Sequence, residues 1–161
     1  MTILGKRLSE YVAFAKVFLG LVLVVGIARL ALSLGGVPNA AARWISISAV
    51  IWIGIFYFAI RVHTTGFGTY RHLLPIYFLQ SLAAQAVIVP GIIIAILTGH
   101  DNIFSIPEFF FGEDGKTWGH AAAHLFVGTT IGSLVGWLVG CLVMFVTRKV
   151  TRDKAPSVAR A

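Results

Sequence analysis

The sequence predicts an all-α, polytopic integral membrane protein: one domain over residues 1–161, a bundle of four transmembrane helices with both termini on the cytoplasmic side. Three observations carry that prediction. The composition is 58% hydrophobic and only 12% charged, with a mean hydropathy of +0.89, whereas soluble domains hold about 25% charged residues. The apolar residues fall into four blocks, approximately 11–34, 44–60, 73–97 and 118–147. Each is long enough for a hydrocarbon core of about 30 Å, which roughly 17 to 25 helical residues cross. The basic residues, finally, gather on one side of these blocks. Of 13 Lys and Arg, ten lie there: Lys6, Arg7 and Lys16 before or in the first block, Arg61 and Arg71 around the loop between the second and third, and Arg148, Lys149, Arg152, Lys154 and Arg160 after the fourth. The positive-inside rule then places both ends and that loop in the cytoplasm and the 99–117 loop outside. The expected location is the plasma (inner) membrane of a prokaryote.

The first block, Tyr11 to Leu34, is longer than the roughly 7 to 15 apolar residues of a signal peptide and reads as a retained helix. Gly35, Gly36 and Pro38 end it. Arg29 sits about one and a half turns from its outer end. There it can snorkel to the headgroups or pair with an outer-loop carboxylate such as Asp101 or Glu108. The second block is bounded by Arg43 and Trp44 and by Tyr57, Arg61 and His63, the anchors expected at membrane interfaces.

The third block carries Gln80, Ser81 and Gln85 in one half and Pro90-Gly91 in the other. A proline there frees the carbonyl of Ala86 and favours a kink. Gln80, Ala84, Gly91 and Ala95 share a face by helical spacing. Gln80 and Gln85 serve either as interhelical glue or, with Arg29, as the polar lining of a path. In the fourth block Gly128, Gly132, Gly136 and Gly140 form an unbroken G-x-x-x-G series. Apolar side chains gain nothing by leaving lipid for one another, so such a face packs by close backbone approach. Its expected partner is the Ala84, Gly91 and Ala95 stripe or a second protomer. A four-residue step in an α-helix drifts by about 40°. The drift leaves His124 beside the seam and turns His120 further away. Cys141 reads as a small packing residue.

The 99–117 loop holds His100, Asp101, Glu108, Glu113 and Asp114 with the run Phe109, Phe110 and Phe111, which suits the headgroup layer. His120 and His124, four apart, point to one side of a helix and could share a divalent metal with Asp101 or Glu108. A haem held by His124 with His100 is the other cofactor this set suggests. Known catalytic patterns do not fit. His120 is followed by alanine where a zincin needs glutamate, the Gly66–Gly68 loop lacks a P-loop lysine, and no Ser, His and Asp pattern is present. None of the four blocks contains a carboxylate for a proton relay.

The net charge of +7 suggests anionic lipid at the cytoplasmic face, at about 1 kcal/mol per basic residue. Nucleic acid is not expected, because the 148–161 tail lacks interleaved aromatics. The function expected first is non-enzymatic: a scaffold, assembly factor or subunit of a membrane complex, or a homo-oligomer, joined through the glycines. The alternatives are an outer-face metal- or haem-binding redox protein using His124 with His100 or His120, and a small channel or carrier.

Overall fold

The computed structural model describes residues 1–106 and 114–153, and it is mostly helical. The chain opens with a feature the hydropathy pattern does not announce. Strands β1 (Thr2–Ile3) and β2 (Lys6–Arg7) pair antiparallel, Thr2 opposite Arg7. Leu4 and Gly5 join them at φ of 52° and 84°, the positive values that let a two-residue turn follow the strand twist. Asn-Gly or Asp-Gly is the usual signal for this turn, and Leu adopts such a backbone rarely. The hairpin is seated by Tyr11, whose hydroxyl donates to the Ile3 carbonyl at 3.1 Å.

Helix ends follow their caps rather than the edges of the apolar blocks. Helix α1 (Leu8–Leu34) starts before Tyr11 because the Glu10 carboxylate accepts the Arg7 N–H at 2.7 Å, satisfying a donor that a helix start leaves orphaned. A short turn, α2 (Asn39–Ala42), follows Pro38. Ser46 then caps α3 (Ile47–Thr64) by accepting the Ala49 N–H at 3.2 Å, so this helix begins after Trp44 and runs past Ile60. Helix α4 (Tyr70–Thr98) continues through both Pro75 and Pro90 and ends at Gly99, whose φ of 70° suits glycine. After the loop, α5 (Trp118–Ala123), a π-helical turn (His124–Gly128) and α6 (Thr129–Asp153) follow without a break.

Four helices are long and apolar enough to cross a membrane: Leu8–Leu34, Ala40–Thr64, Tyr70–Thr98 and Trp118–Thr151. Their outward surfaces support the same conclusion, since side chains such as Val24 and Leu142 are each 64% exposed. Exposed to water, apolar area of this kind costs about 25 cal/mol per Å². In lipid it costs nothing, so the membrane explains why the chain leaves it uncovered.

Helix α4 lies at the centre, against α1, α3 and α6. At one end, which also carries the hairpin and the last turns of α6, Tyr11 meets Phe67 edge-on at 5.6 Å and His63 Nε2 lies 3.0 Å from Thr151 Oγ1. The main core is packed near this Phe67 end from Tyr11, Phe58, Leu73, Ile76, Tyr77 and Met144. Smaller clusters lead to the opposite end: Val22, Ile47 and Ala84, then Ala42, Ile103 and Ile106, with Phe104 touching both.

The glycine face of α6 meets a different line of α4 from the one expected. A Cβ at Gly128 would lie 2.9 Å from Gln85 Nε2, one at Gly132 3.2 Å from Ser81 Oγ, and one at Gly136 3.4 Å from Tyr77 Cγ and 3.3 Å from Ile55 Cδ1. At Gly140 it would strike the Tyr77 ring, 2.6 Å from Cε2. Ala84 and Gly91 do not face these glycines. Ala84 packs with Val22 and Ile47, and a Cβ on Gly91 would meet Phe104 and Leu30. The reason lies in α4's central position: its small residues let α1 approach, while Tyr77, Ser81 and Gln85 project toward α6. The room the glycines leave is filled by larger side chains of the same chain, Gln85, Ser81, Tyr77 and Ile55.

Candidate functional site

Toward the Phe104 end the helices part around a cleft of about 400 Å³. Its polar wall is drawn from every membrane-crossing helix: Arg29 of α1, Ser48 of α3, Ser81 and Gln85 of α4, and His120 and His124 from the last helix. Ile47, Ile88 and Phe104 line the apolar remainder.

Ile103, Phe104 and Ile106 form part of the cleft wall, and Asn102 pins this stretch. This side chain is fully buried, its Nδ2 donating to the Gly91 carbonyl at 2.7 Å and its Oδ1 accepting the Phe104 N–H at 3.0 Å. Ser105 Oγ accepts the Asn102 N–H at 3.0 Å, and Ser33 Oγ accepts the Ile103 N–H at 2.9 Å. These bonds tie the loop to α4 and α1 and lay the Phe104 ring beside Gly91. Arg29 follows, its guanidinium carbon 5.7 Å from that ring's centre. Asn102, Phe104 and Ser105 were not singled out from sequence. The available signal is an Asn three residues before a Ser, a spacing that favours a side-chain-bonded turn.

The π turn assembles the histidine side. A π-helical turn holds one more residue than an α turn, so it winds less per residue and reverses part of the drift of a four-spaced stripe. His120 is therefore brought back toward the seam instead of turning away, and its ring lies 4.8 Å from that of His124 at an interplanar angle of 60°. His120 Nδ1 is 2.7 Å from the Gly115 carbonyl oxygen, and His124 Nδ1 is 3.2 Å from Gln85 Oε1. Both partners are acceptors, so in each ring Nδ1 is the donor. Gly128 makes room for the Gln85 amide that holds His124.

Other expected site residues lie elsewhere. His100 is exposed at the end of α4 and does not line the cleft. Asp101 is engaged by Lys116, whose Nζ is 2.8 Å from its Oδ1 and 3.1 Å from Asp114 Oδ1. The bonds to Asp101 and then Asp114 raise the Lys116 pKa, and the Lys116 backbone N–H, foremost, lowers that of Asp114. Arg29 thus does not pair with Asp101; Glu108, Glu113 and the Phe109, Phe110 and Phe111 run lie outside the described residues. Among the described residues, no group of three His, Cys, Asp or Glu converges to hold a metal. Gln80 turns away from the cleft to α3, where its Nε2 donates to the Ile51 carbonyl at 3.3 Å in the space Gly54 leaves open.

Arg29 is the least compensated group in this arrangement. Its Nε is buried with no hydrogen-bond partner, and no carboxylate belongs to the cleft wall, among the described residues. Arg29 is half-buried, and a cationic side chain in a membrane-crossing segment with an unpaired buried nitrogen favours an anion beside it. Compared with family models, with curated proteins and with solved structures, the chain has no match. The site is read from its own chemistry.

Proposed function

We propose that this protein is a non-enzymatic membrane protein that binds a small anionic amphiphile in the cleft at the Phe104 end. The observation that carries the reading is Arg29 in the wall of this cleft, its Nε without a hydrogen-bond partner and no carboxylate in the wall among the described residues. Arg29 pairs with the ligand's negative charge, and Ile47, Ile88 and Phe104 cover its apolar part. The cleft lies toward the outer side of the plasma membrane, with both termini cytoplasmic, a reading supported by the basic residues gathered at the Phe67 end.

The test uses the full chain in nanodiscs titrated with decanoate and with decanol, which share an apolar tail and differ in charge. Decanoate binds and decanol binds more weakly. Arg29→Gln weakens decanoate binding by about 1.5–3 kcal/mol, the range for hydrogen bonds to charged groups. Glu108→Gln, which removes the carboxylate expected to neutralise Arg29, leaves the affinity unaltered. Equal binding of acid and alcohol, or an affinity indifferent to Arg29, defeats the proposal.

A second reading places a metal on His120 and His124. It is supported by their Nδ1 atoms, both held by oxygen acceptors, an arrangement that aims Nε2 at a metal. Metal analysis of the wild type and of His124→Ala decides it: a stoichiometric metal lost with His124 supports this reading, and none in either opposes it.

A further inference from the structure

At the Phe67 end, opposite the ligand cleft, a separate notch of about 540 Å³ is lined by His63, Tyr70, Phe145, Arg148, Lys149 and Thr151. It is formed where three membrane-crossing helices end or begin: the last turn of α3, the first of α4 and the last turns of α6. That position is the boundary between hydrocarbon and water. The notch carries two cations and, among the described residues, no carboxylate in its wall.

Both cations are held by rings. The Arg148 guanidinium carbon lies 5.4 Å from the centre of the Tyr70 ring, and the Lys149 ammonium lies 4.8 Å from that of Phe145. The Tyr70 backbone is tied to α6, its carbonyl accepting the Trp137 indole N–H at 2.9 Å. Across the notch Thr151 donates its hydroxyl proton to the Thr147 carbonyl at 3.0 Å and so accepts from His63 Nε2 at 3.0 Å. A chain of contacts thus joins α3, α4 and α6 around two oriented positive groups. Basic residues spread along a chain attract anions through their overall field, whereas cations placed over rings in a concave wall can favour one kind of headgroup.

We infer that this notch binds a phosphate group, supplied in the membrane by an anionic phospholipid whose acyl chains lie along the exposed side chains of α6. Arg148 offers a planar fork of donors to the phosphate oxygens and Lys149 a second charge beside it. The site is independent of the ligand cleft and of the identity of its occupant.

The experiment measures lipid retained by the purified full chain in mild detergent by native mass spectrometry, with phosphatidylglycerol and phosphatidylcholine competing. Wild type retains phosphatidylglycerol preferentially. Arg148→Gln with Lys149→Gln reduces the preference about 30-fold, as expected for two interfacial basic residues. Lys154→Gln with Arg160→Gln removes the same charge from the same end of the chain and leaves the preference in place. Phe145→Leu keeps every charge, removes the ring under Lys149 at a half-exposed position, and lowers the preference about threefold. Its readout stands even if the double charge variant does not fold. Equal losses from both charge pairs reduce the effect to the tail's general field and overturn the inference, as does a wild type that neither prefers phosphatidylglycerol nor binds inorganic phosphate through Arg148 and Lys149. Binding of inorganic phosphate that is lost with Arg148 and Lys149, without any lipid preference, supports the phosphate site and assigns its source to a soluble donor.

Discussion

Substituting Gly140 by alanine tests the packing of α6 more directly than any other single change. The new methyl would lie 2.6 Å from Cε2 and 2.8 Å from Cζ of the Tyr77 ring, and against its hydroxyl. Tyr77 is 2% exposed and cannot swing into open space, and its hydroxyl donates to the Ile55 carbonyl at 2.9 Å. Relief of the clash must therefore shift α6 or break that bond. Overpacking costs about 1–3 kcal/mol, and the lost hydrogen bond adds about 0.5–1.5 kcal/mol. Alanine returns about 0.5–1 kcal/mol of helix propensity. The expected net effect is a loss of about 2 kcal/mol. Gly20→Ala is the matched control, because a Cβ there meets nothing within 4 Å. It keeps only the propensity gain and is stabilising by about 0.5–1 kcal/mol. Both are read by titrating the detergent-solubilised protein with a denaturing detergent and following helical circular dichroism. In a Tyr77→Ala background the Gly140→Ala penalty disappears. A Gly140→Ala protein as stable as wild type, or a penalty that survives the loss of Tyr77, refutes the reasoning.

Gly54→Ala should destabilise by about 1–3 kcal/mol, because its methyl would fall 3.0 Å from Gln80 Cδ and displace the amide from the Ile51 carbonyl; stability equal to wild type in the same titration contradicts this. Asn102→Ala removes two hydrogen bonds from a fully buried side chain and should cost about 2 kcal/mol. It should also weaken decanoate binding, since the loop carries Phe104; an unaltered affinity would separate the loop from the cleft. The pairing of Lys116 with Asp114 should be insensitive to pH near neutrality. Lys116 is raised, so its pairing is complete below the ordinary lysine pKa and is lost as pH climbs through the folded value. Asp114 is lowered, so its contribution is complete above the ordinary carboxylate pKa and is lost as pH falls through the folded value. Protection of the Lys116 amide, which donates to Asp114 at 2.9 Å, should stay level from about pH 5 to about pH 9. A marked fall inside that window would contradict the pairing.

Membrane character was legible because it depends on composition summed over long segments, where individual errors cancel. Helix ends were less so. Trp44 and Ile60 are apolar enough to mark a block, but the start of α3 follows the hydroxyl of Ser46, and its last turns extend past Ile60. The candidate site was half legible. Arg29, Gln85, His120 and His124 stood out as polar groups in or beside apolar segments, and the structure brings these four to one cleft. His100 and Gln80 stood out for the same reason and lie elsewhere, because polarity alone does not say which way a side chain points.

What the sequence determined by itself is the solvent: four apolar segments and few charges leave this chain no stable place in water, and no tertiary contact is needed to know it. The partners of each helix face were decided only in three dimensions. Gly128 through Gly140 advertise room but not its occupant, and Tyr77, Ser81 and Gln85 fill it because α4 sits between α1 and α6. The π turn at His124–Gly128 carries no sequence signature that periodicity could detect, yet it turns His120 back toward the cleft. Segment hydrophobicity is additive along a chain, whereas the rotation of one helix against another depends on every contact at once.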